Sequence, residues 1–443
     1  MSEGKNEAAV MSDVLPISQD KRTLGGISNF AIWFSCNMVT TTMLTGMMFV
    51  PGLSFGSTML AVILGCVIGI IPLILIGVIG NHTGLTTMVS ARMTFGQKGA
   101  YLPSMINILI YIGWSWSQAA LGGAALNYII KSLFGVDLLT VCVIFTEALV
   151  VFIALYAIKG ISVYEKIAMV LIIIIMGAVA IKGFSSIGMS NLLAVADDPT
   201  QGITVMSAFD IVVATALSWT PMAADYNREC KTVRATVLGT GLGYSIGTII
   251  SMGSGALMVT MILASNLTLS YEPSEVFGEI GFGIAGAIVM FMSIIAANVM
   301  IIYSGTMSLL NIVPKLPYKK TAIVFGLVCI VGAVFSGILD VFLSFVNLIG
   351  VLFMPIFAIM IVDYFIVKKQ KVDVDAVVYG EKYDTYQYSG GVNWIAVIVF
   401  LISAAFAYVF SSVYPLVTGA TIPTFFLACI LYLVLMKIKG AKK

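Results

Sequence analysis

Near the middle of the chain lies the stretch SWTPMAADYNR, residues 218–228, which continues an apolar run that begins near residue 203. A proline inside a helix removes a backbone donor and clashes with the carbonyl four residues earlier. In lipid, the freed backbone groups are tolerated only where protein or a water-filled cavity satisfies them. Pro221 therefore predicts a break in a spanning helix at mid-membrane depth, and a break at that depth indicates a binding site.

The composition indicates a polytopic membrane protein. The 443 residues are 60% hydrophobic and 10% charged, whereas soluble proteins carry about 25% charged residues. Apolar runs of about 20 residues are long enough to cross a bilayer, and twelve such runs predict twelve spans. They lie near residues 28–50, 57–80, 104–130, 138–158, 162–182, 203–222, 236–264, 282–311, 321–339, 341–367, 393–412 and 420–437.

The basic residues predict the orientation of these spans. With the N-terminus inside, only Lys131 and Lys182 of the 23 Lys and Arg fall on the outer side. This bias is typical of cytoplasmic loops, so both termini are expected in the cytoplasm. The expected location is the plasma (inner) membrane of a bacterium. A formal net charge of +2 is too small to indicate nucleic acid as a partner.

Several other function classes are disfavoured by what the sequence lacks. The six cysteines form no CxxC pair and there is a single histidine, His82, so neither a disulfide framework nor a metal site is predicted. There is no nucleotide-binding loop of the kind an ATP-driven pump needs. An intramembrane enzyme needs clustered catalytic groups, whereas the acids within the spans of this chain are single. A channel usually repeats its pore-lining residues and has subunit symmetry, whereas the two interrupted spans here lie within one chain. A carrier without cofactor is the expectation, and saturable, gradient-dependent uptake separates it from both alternatives.

Span 1 is interrupted as well, at Asn37-Met38-Val39-Thr40-Thr41-Thr42. Breaks five spans apart predict an inverted repeat of five plus five helices, with substrate and ion at the broken helices 1 and 6. The alternative for the threonines is helix packing through small polar residues. The predicted organisation is a tail (1–27), a first repeat (28–182), a second repeat (203–367), a loop (368–392), two extra spans (393–437) and a tail (438–443).

Four motifs in consistent order resemble the purine/cytosine permease family, the nucleobase/cation symporters of LeuT-type fold. They are Gly84-Leu85-Thr86-Thr87 with Arg92-Met93-Thr94-Phe95-Gly96, Trp114-x3-Gln118, Ser218-Trp219-x-Pro221-x3-Asp225-Tyr226, and Asp363-Tyr364-Phe365. The resemblance implies an all-helical transporter of a planar heterocycle across the lipid bilayer.

The resemblance also implies where the substrate binds. The family holds the ring between aromatic residues of spans 3 and 6, and amides on spans 3 and 8 read its edge. By motif, these are Trp114 and Gln118 on span 3 and Asn298 on span 8, with Trp219 and its neighbour Ser218 as candidates on span 6. Some hydantoin-type members place the stacking tryptophan about a turn earlier in span 6, where this chain has an alanine.

The residues support the same chemistry without the family. Trp114 and Gln118 are four apart and share one face of a helix, and aromatic stacking on a base is worth about 1 to 3 kcal/mol. The alternative is that the tryptophans fill the core and that Gln118 and Asn298 tie helices together. Asn37 is a candidate for the substrate edge or for supporting the open segment of span 1. A helix cap is the alternative role of Asn37.

The coupling ion is expected to be H+ or Na+. Thr40 and Thr41 of span 1 and Ser293 of span 8 are candidate sodium ligands, but Ala296 and Ala297 stand where sodium-coupled relatives place hydroxyls, and this departure weakens the sodium interpretation. Two intramembrane acids, Glu147 in span 4 and Asp210 in span 6, are candidate proton carriers. The alternative for each acid is a hydrogen-bonded structural role.

Asp225 and Arg228 lie three residues apart at the cytoplasmic end of span 6. They are predicted to form a gate or a helix-end ion pair.

Taken together, the sequence predicts a symporter that imports a nucleobase, cytosine or a purine, by alternating access. A carrier of hydroxymethylpyrimidine or of allantoin and hydantoins is the alternative.

Overall fold

The computed structural model describes residues 15–156, 158–313, 316–335 and 337–441, so the outer parts of both predicted tails lie outside the described residues. Twelve main helices, α1 to α12, occupy the positions of the twelve predicted spans. They are α1 (Gly26–Asn37 and Thr40–Met47), α2 (Phe55–Thr83), α3 (Tyr101–Phe134), α4 (Leu139–Tyr156), α5 (Ile158–Lys182), α6 (Val205–Trp219, Thr220–Met222 and Ala223–Asn227), α7 (Val233–Ala264), α8 (Gly283–Ile312), α9 (Tyr318–Phe335), α10 (Phe342–Val362), α11 (Trp394–Tyr408) and α12 (Thr421–Ala441).

Nine helices of the described chain are long and apolar enough to cross a membrane. α1 does not reach this length because it is split into two parts, of 12 and 8 residues. α3 is the longest helix at 34 residues, but it carries Asn, Gln, Ser and Gly along its length. The count of twelve crossings thus stays a prediction, while the membrane-spanning, all-helical character is confirmed.

The helices pack into two groups of four. One group contains α1, α2, α6 and α7, and the other contains α3, α4, α8 and α9. Within each group the members are related by a shift of five helices, as the predicted repeat requires, and the inverted orientation of the two halves stays a prediction. α10 packs against α6, and α11 and α12 pack against α10. The last two helices are therefore peripheral to the two groups.

A short helix, Thr87–Phe95, connects α2 and α3 and ends at Gly96, whose φ of 92° suits glycine. It lies at the end of the bundle where the N-terminal segment and the predicted cytoplasmic loops meet, called the basic face here. Asp363, fully buried at the end of α10, accepts hydrogen bonds from Thr94 at 2.8 Å and Tyr432 at 2.9 Å and pairs with Lys368. The motif at Asp363 thus joins α10 and α12 to the short helix on this face.

Candidate substrate site

α1 opens at Met38 and Val39, whose backbone leaves the helical region (φ −82°, ψ 61° and φ −130°, ψ 155°). Val39 is followed by three threonines, and branching at Cβ lowers helix propensity. The Val39 carbonyl accepts a hydrogen bond from Ser251 of α7 at 3.3 Å. The interruption predicted in span 1 is therefore an open segment of backbone that is held by α7.

The second part of α1 lies directly on α7. A Cβ added at Gly46 would lie 2.0 Å from the carbonyl oxygen of Met252, and one at Gly255 would lie 2.0 Å from that of Met43. The two backbones are so close that neither position has room for a Cβ, and glycine is therefore required on each side. As a result all eight residues of Thr40–Met47 are buried.

The break in α6 differs from the expected opening. The residues on either side of Pro221 keep right-handed helical angles (Trp219, Thr220, Met222 and Ala223), and Thr220–Met222 form one 3-10 turn. Pro221 has no N–H for the Leu217 carbonyl, so the Thr220 N–H donates to it instead. The Thr220 hydroxyl then donates to the Ala216 carbonyl at 3.1 Å. One threonine thus pairs both carbonyls that the proline leaves free, and α6 stays closed.

A cavity of about 40 Å³, the inner cavity, lies between the two groups of helices next to both breaks. α3 contributes Trp114 and Gln118 to its lining, and α6 contributes Ser218 and Trp219. The remaining lining residues are Thr41, Thr42 and Thr45 of α1, Tyr111 of α3, Thr215 and Met222 of α6, and Ala297 and Ile301 of α8. The structure therefore brings four of the six predicted substrate residues together.

Neighbouring side chains hold the two α3 residues of the inner cavity. The Trp114 ring packs edge-on against Phe342 and Phe345 of α10, with centroid distances of 6.0 Å and 5.4 Å. The Gln118 amide nitrogen lies 3.4 Å from the Thr41 hydroxyl. The Gln118 Oε1 is buried and has no partner within the described chain. An acceptor at the cavity is therefore left for a ligand.

Asn298 lies elsewhere, because its amide is engaged behind the inner cavity. Its Nδ2 donates to Glu147 of α4 at 2.6 Å, and Ser115 of α3 donates to the other carboxylate oxygen at 2.7 Å. Asn298 and Glu147 are both fully buried, and Asn298 does not line the inner cavity. A substrate-reading role for Asn298 stays a prediction. The contact shown is the helix tie that was the alternative for this amide.

The remaining candidates occupy three different places. Asn37 donates to the Trp33 carbonyl at 3.0 Å, as a cap at the end of the first part of α1. The hydroxyls of Thr40 and Ser293 are buried with no partner among the described atoms. Asp210 accepts from the Ala420 N–H at 2.6 Å, at the start of α12 and away from the inner cavity. This contact is the hydrogen-bonded one that was the alternative for Asp210, while its Oδ1 is buried without a partner among the described atoms, so a role in carrying a proton stays a prediction.

A second cavity of about 220 Å³, the outer cavity, opens toward the basic face and shares Tyr111 and Met222 with the inner one. Asp225 and Arg228 both line it. Asp225 accepts from the Thr87 N–H at 2.8 Å, and Arg228 donates to the Leu15 carbonyl at 3.4 Å. The predicted gate residues thus stand where the outer cavity meets the short helix and the N-terminal segment. Pairing of Asp225 with Arg228 stays a prediction.

Residues 16–435 match the family model described as a permease for cytosine/purines, uracil, thiamine and allantoin. The chain belongs to this permease family. YxlA of Bacillus subtilis (strain 168), which is assigned to the purine-cytosine permeases, is 28% identical over 401 residues, 84% of this chain and 82% of its own. The hydantoin permease of Microbacterium maritypicum is 23% identical over 417 residues, 89% of this chain and 83% of its own.

The solved structures agree on the fold. Mhp1, a nucleobase-cation-symport-1 family transporter, superimposes in a closed conformation with a TM-score of 0.79 at 22% identity, over 97% of this chain and 96% of its own. Its inward-facing conformation gives a TM-score of 0.84 at 21% identity, over 96% and 93%. The resemblance inferred from the four motifs is confirmed: the protein is a membrane permease of the nucleobase/cation symporter family, and not an enzyme.

Several residues that shape the site of this permease were missed in the sequence. Phe342 and Phe345 support Trp114 from a helix more than 220 residues away in the chain, a separation that leaves no local pattern. Ser115 is hidden between two tryptophans in the sequence, yet it contacts Glu147. Tyr111, which lines both cavities, could have been predicted from the sequence, because it lies three residues before Trp114 on the same face of α3.

Proposed function

We propose that this permease is a secondary active symporter that imports a nucleobase, cytosine or a purine, coupled to H+ or Na+. We place it in the plasma membrane of a bacterium with both termini in the cytoplasm. The observation that carries this proposal is the inner cavity, where two tryptophan rings and one buried amide meet. Trp114, Gln118, Trp219 and Ser218 are the proposed substrate residues, with Thr41 holding the amide.

The side chains of the inner cavity suit a flat, polar ring. Stacking a base on an aromatic side chain is worth about 1 to 3 kcal/mol and tolerates many bases. Selection must therefore come from the polar groups. A carboxamide offers a donor and an acceptor at once, which is how Asn and Gln recognise the edge of adenine. Gln118, with its unpartnered Oε1, supplies such a group. A substrate that leaves it unpaired loses affinity.

The two cavities support transport by alternating access. The outer cavity leads from the basic face to Tyr111 and Met222, which also line the inner cavity. A substrate released from the inner cavity would pass these two residues toward the predicted cytoplasm. α3, α6 and α8 each line both cavities, and α6 does so along its 3-10 turn, through Met222 and its neighbours.

The alternative substrates are hydroxymethylpyrimidine, allantoin and hydantoins. The description of the family names thiamine and allantoin, and one relative is named a hydantoin permease. One feature of α6 argues against the hydantoin type. Ala216, where a hydantoin-type stacking tryptophan is expected, is fully buried, and its methyl lies 2.9 Å from the position of a Cβ on Gly69 of α2. A tryptophan has no room there, so the aromatic group of α6 is Trp219.

A thermal-shift screen of the purified permease tests the proposal. The ligands are cytosine, uracil, adenine, hypoxanthine, allantoin, benzylhydantoin and hydroxymethylpyrimidine, each with and without Na+. A ligand at 100 times its Kd stabilises the folded state by about 2.7 kcal/mol. We expect cytosine or a purine to raise the unfolding temperature most. Stabilisation by allantoin or benzylhydantoin alone would favour the alternative, and no stabilisation by any of the seven would contradict the proposal.

A further inference from the structure

Glu147 is a carboxylate buried in the middle of the second helix group. It belongs to α4, its side chain is 0% exposed, and it faces α3, α8 and α9. Ser115 of α3 donates to one oxygen at 2.7 Å, and Asn298 of α8 donates to the other at 2.6 Å. Both donors are neutral, so the carboxylate is hydrogen-bonded but its charge is not compensated.

The surroundings contain little else that titrates. Within the described chain, Cys329 of α9 is the other titratable group that faces Glu147, and no Lys, Arg or His contacts it. A charge buried without a counter-ion inside a membrane protein is costly, and intramembrane acids in such positions mark ion pathways. The charge is removed when the carboxylate takes up a proton.

We propose that Glu147 is the group that binds the symported proton in this permease. The inference rests on the proposed transport function. In each cycle the carboxylate gains one proton from the outer solution, forming one O–H bond, and that bond breaks when the proton is released with the substrate to the cytoplasm. No other covalent bond changes, and the coupled ion is H+.

The polar atoms around Glu147 provide for both of its states. In the charged state the Ser115 hydroxyl and the Asn298 Nδ2 both donate to it. In the neutral state the new O–H needs an acceptor. The Asn298 Oδ1, buried and without a partner among the described atoms, supplies one when the amide turns over. Binding of the proton is thereby linked to a rearrangement of a side chain on α8.

The partners of Glu147 lie one residue away from the inner cavity. Ser115 follows Trp114 on α3, and Asn298 follows Ala297 on α8, and both of these neighbours line the cavity. A shift of α3 or α8 that accompanies protonation therefore moves the walls of the substrate site. This placement links the ion to the substrate through backbone neighbours, without direct contact between the two ligands.

Sodium is less well served than a proton by this part of α8. Hard cations are bound by several oxygen ligands, and in the structure Asn298 presents its Nδ2, not its Oδ1, to Glu147. On the facing part of α8, Ala296 and Ala297 offer no side-chain oxygen. Asp210, the other intramembrane acid, differs from Glu147 because its carboxylate is engaged by the backbone N–H at the start of α12.

The test uses the purified full-length permease in proteoliposomes, in sodium-free buffer, with radiolabelled cytosine and, in parallel, hypoxanthine. Counterflow measures carrier function without a gradient, and accumulation under an outside-acid gradient of one pH unit measures proton coupling. One proton per substrate permits up to about tenfold accumulation. For Glu147→Gln we expect counterflow within about twofold of wild type and an accumulation ratio near one. Asp210→Asn, the matched control, retains the accumulation.

Each outcome has a distinct meaning. Accumulation by Glu147→Gln equal to wild type, or wild-type accumulation that requires a Na+ gradient, overturns the proton site but leaves the carrier function intact. Absence of wild-type counterflow with both substrates, and with any ligand that stabilises the protein in the screen, contradicts the proposed function itself and this inference with it.

A second variant covers the case in which Glu147→Gln is not recovered as folded protein. Ser115→Ala removes a donor to the charged carboxylate only, so the pH of half-maximal uptake should move upward by roughly one unit. Thr146→Ala is its control, because the Thr146 hydroxyl bonds the Cys142 carbonyl within α4. An unchanged pH profile in Ser115→Ala overturns the proposal.

Discussion

α1 and α6 are both interrupted beside the inner cavity, and the two interruptions differ in where their polar atoms go. In α1, Met38 and Val39 leave the helix, and the Thr40 hydroxyl and the Asn37 Oδ1 have no partner among the described atoms. In α6, Thr220 alone pairs both carbonyls released by Pro221. An open break leaves polar atoms available for a ligand, whereas a closed turn presents its side chains and keeps its backbone satisfied.

The largest effect is expected where α1 is held in its open form. Gly46→Ala places a methyl group 2.0 Å from the Met252 carbonyl oxygen, so α1 and α7 must separate. Overpacking against backbone at such a distance should cost about 3 kcal/mol, the upper end for an added methyl group. We expect a large fall in unfolding temperature and in the yield of monodisperse protein.

Gly177→Ala in α5 is the matched control, since its Cβ meets no atom within 4 Å. Alanine is the better helix former, so the control should be as stable as wild type or slightly more stable. Equal stability of the two variants would show that the contact with α7 does not hold the open segment.

The next effect concerns recognition of the substrate ring. We assign it to side chains, because the closed turn of α6 presents side chains to the inner cavity and keeps its backbone groups paired. Trp114→Ala removes one aromatic face of the inner cavity and should weaken substrate binding by about 1 to 3 kcal/mol, or 5- to 150-fold in Kd. High-affinity uptake is then lost while the protein remains in the membrane. The measurements are Kd by ligand-induced thermal shift and uptake in cells.

Trp394→Ala, at a tryptophan of α11 that is 57% exposed, controls for the general loss of an indole and should bind as wild type. Gln118→Ala should resemble Trp114→Ala in uptake, because it removes the amide of the cavity. Unchanged uptake in both cavity variants would contradict the site assignment.

A smaller effect tests whether α6 depends on one hydroxyl. Thr220→Val keeps the shape of the side chain but leaves the Ala216 carbonyl buried without its partner. Such a loss typically costs about 1 to 3 kcal/mol. The unfolding temperature should fall in Thr220→Val and be kept in Thr220→Ser. If the valine variant is as stable as wild type, the closed turn has another source of support.

The sequence predicts most of the fold and part of the site. Spans, order and the two interruptions follow from hydropathy, Pro221 and the run Val39–Thr42, because each is a local property of the chain. The pairing of Trp114 with Gln118 follows from helical spacing, and both line the inner cavity. These features depend on residues at most a few positions apart.

What the sequence did not predict depends on contacts between distant residues. Asp210 and Glu147 look alike as single acids in apolar spans, yet one caps α12 and the other is held by α3 and α8. The closed form of α6 depends on the rotamer of Thr220, which no pattern of hydrophobicity encodes. Asn298 was expected to read the substrate because the motif, and not its surroundings, suggested the role.

The smallest effect is expected at Thr41, where α1 contacts the Gln118 amide of the inner cavity. Thr41 stands in the buried part of α1 just after the opening, and its hydroxyl is the partner of the Gln118 amide at 3.4 Å. A neutral hydrogen bond contributes about 0.5 to 1.5 kcal/mol, and one this long should lie at the low end. Thr41→Val should therefore weaken substrate binding by about two- to fivefold, because Gln118 is held less firmly.

The stability of Thr41→Val should change little, since valine matches threonine in shape and the hydrogen bond that is lost is long, at 3.4 Å. Thr45→Val is the control: its hydroxyl bonds the Thr41 carbonyl within the same helix and makes no contact with Gln118. If Thr41→Val loses binding as completely as Gln118→Ala, then α1 itself contacts the substrate. The open break would in that case contribute to recognition directly, and the division of roles between α1 and α6 would be wrong.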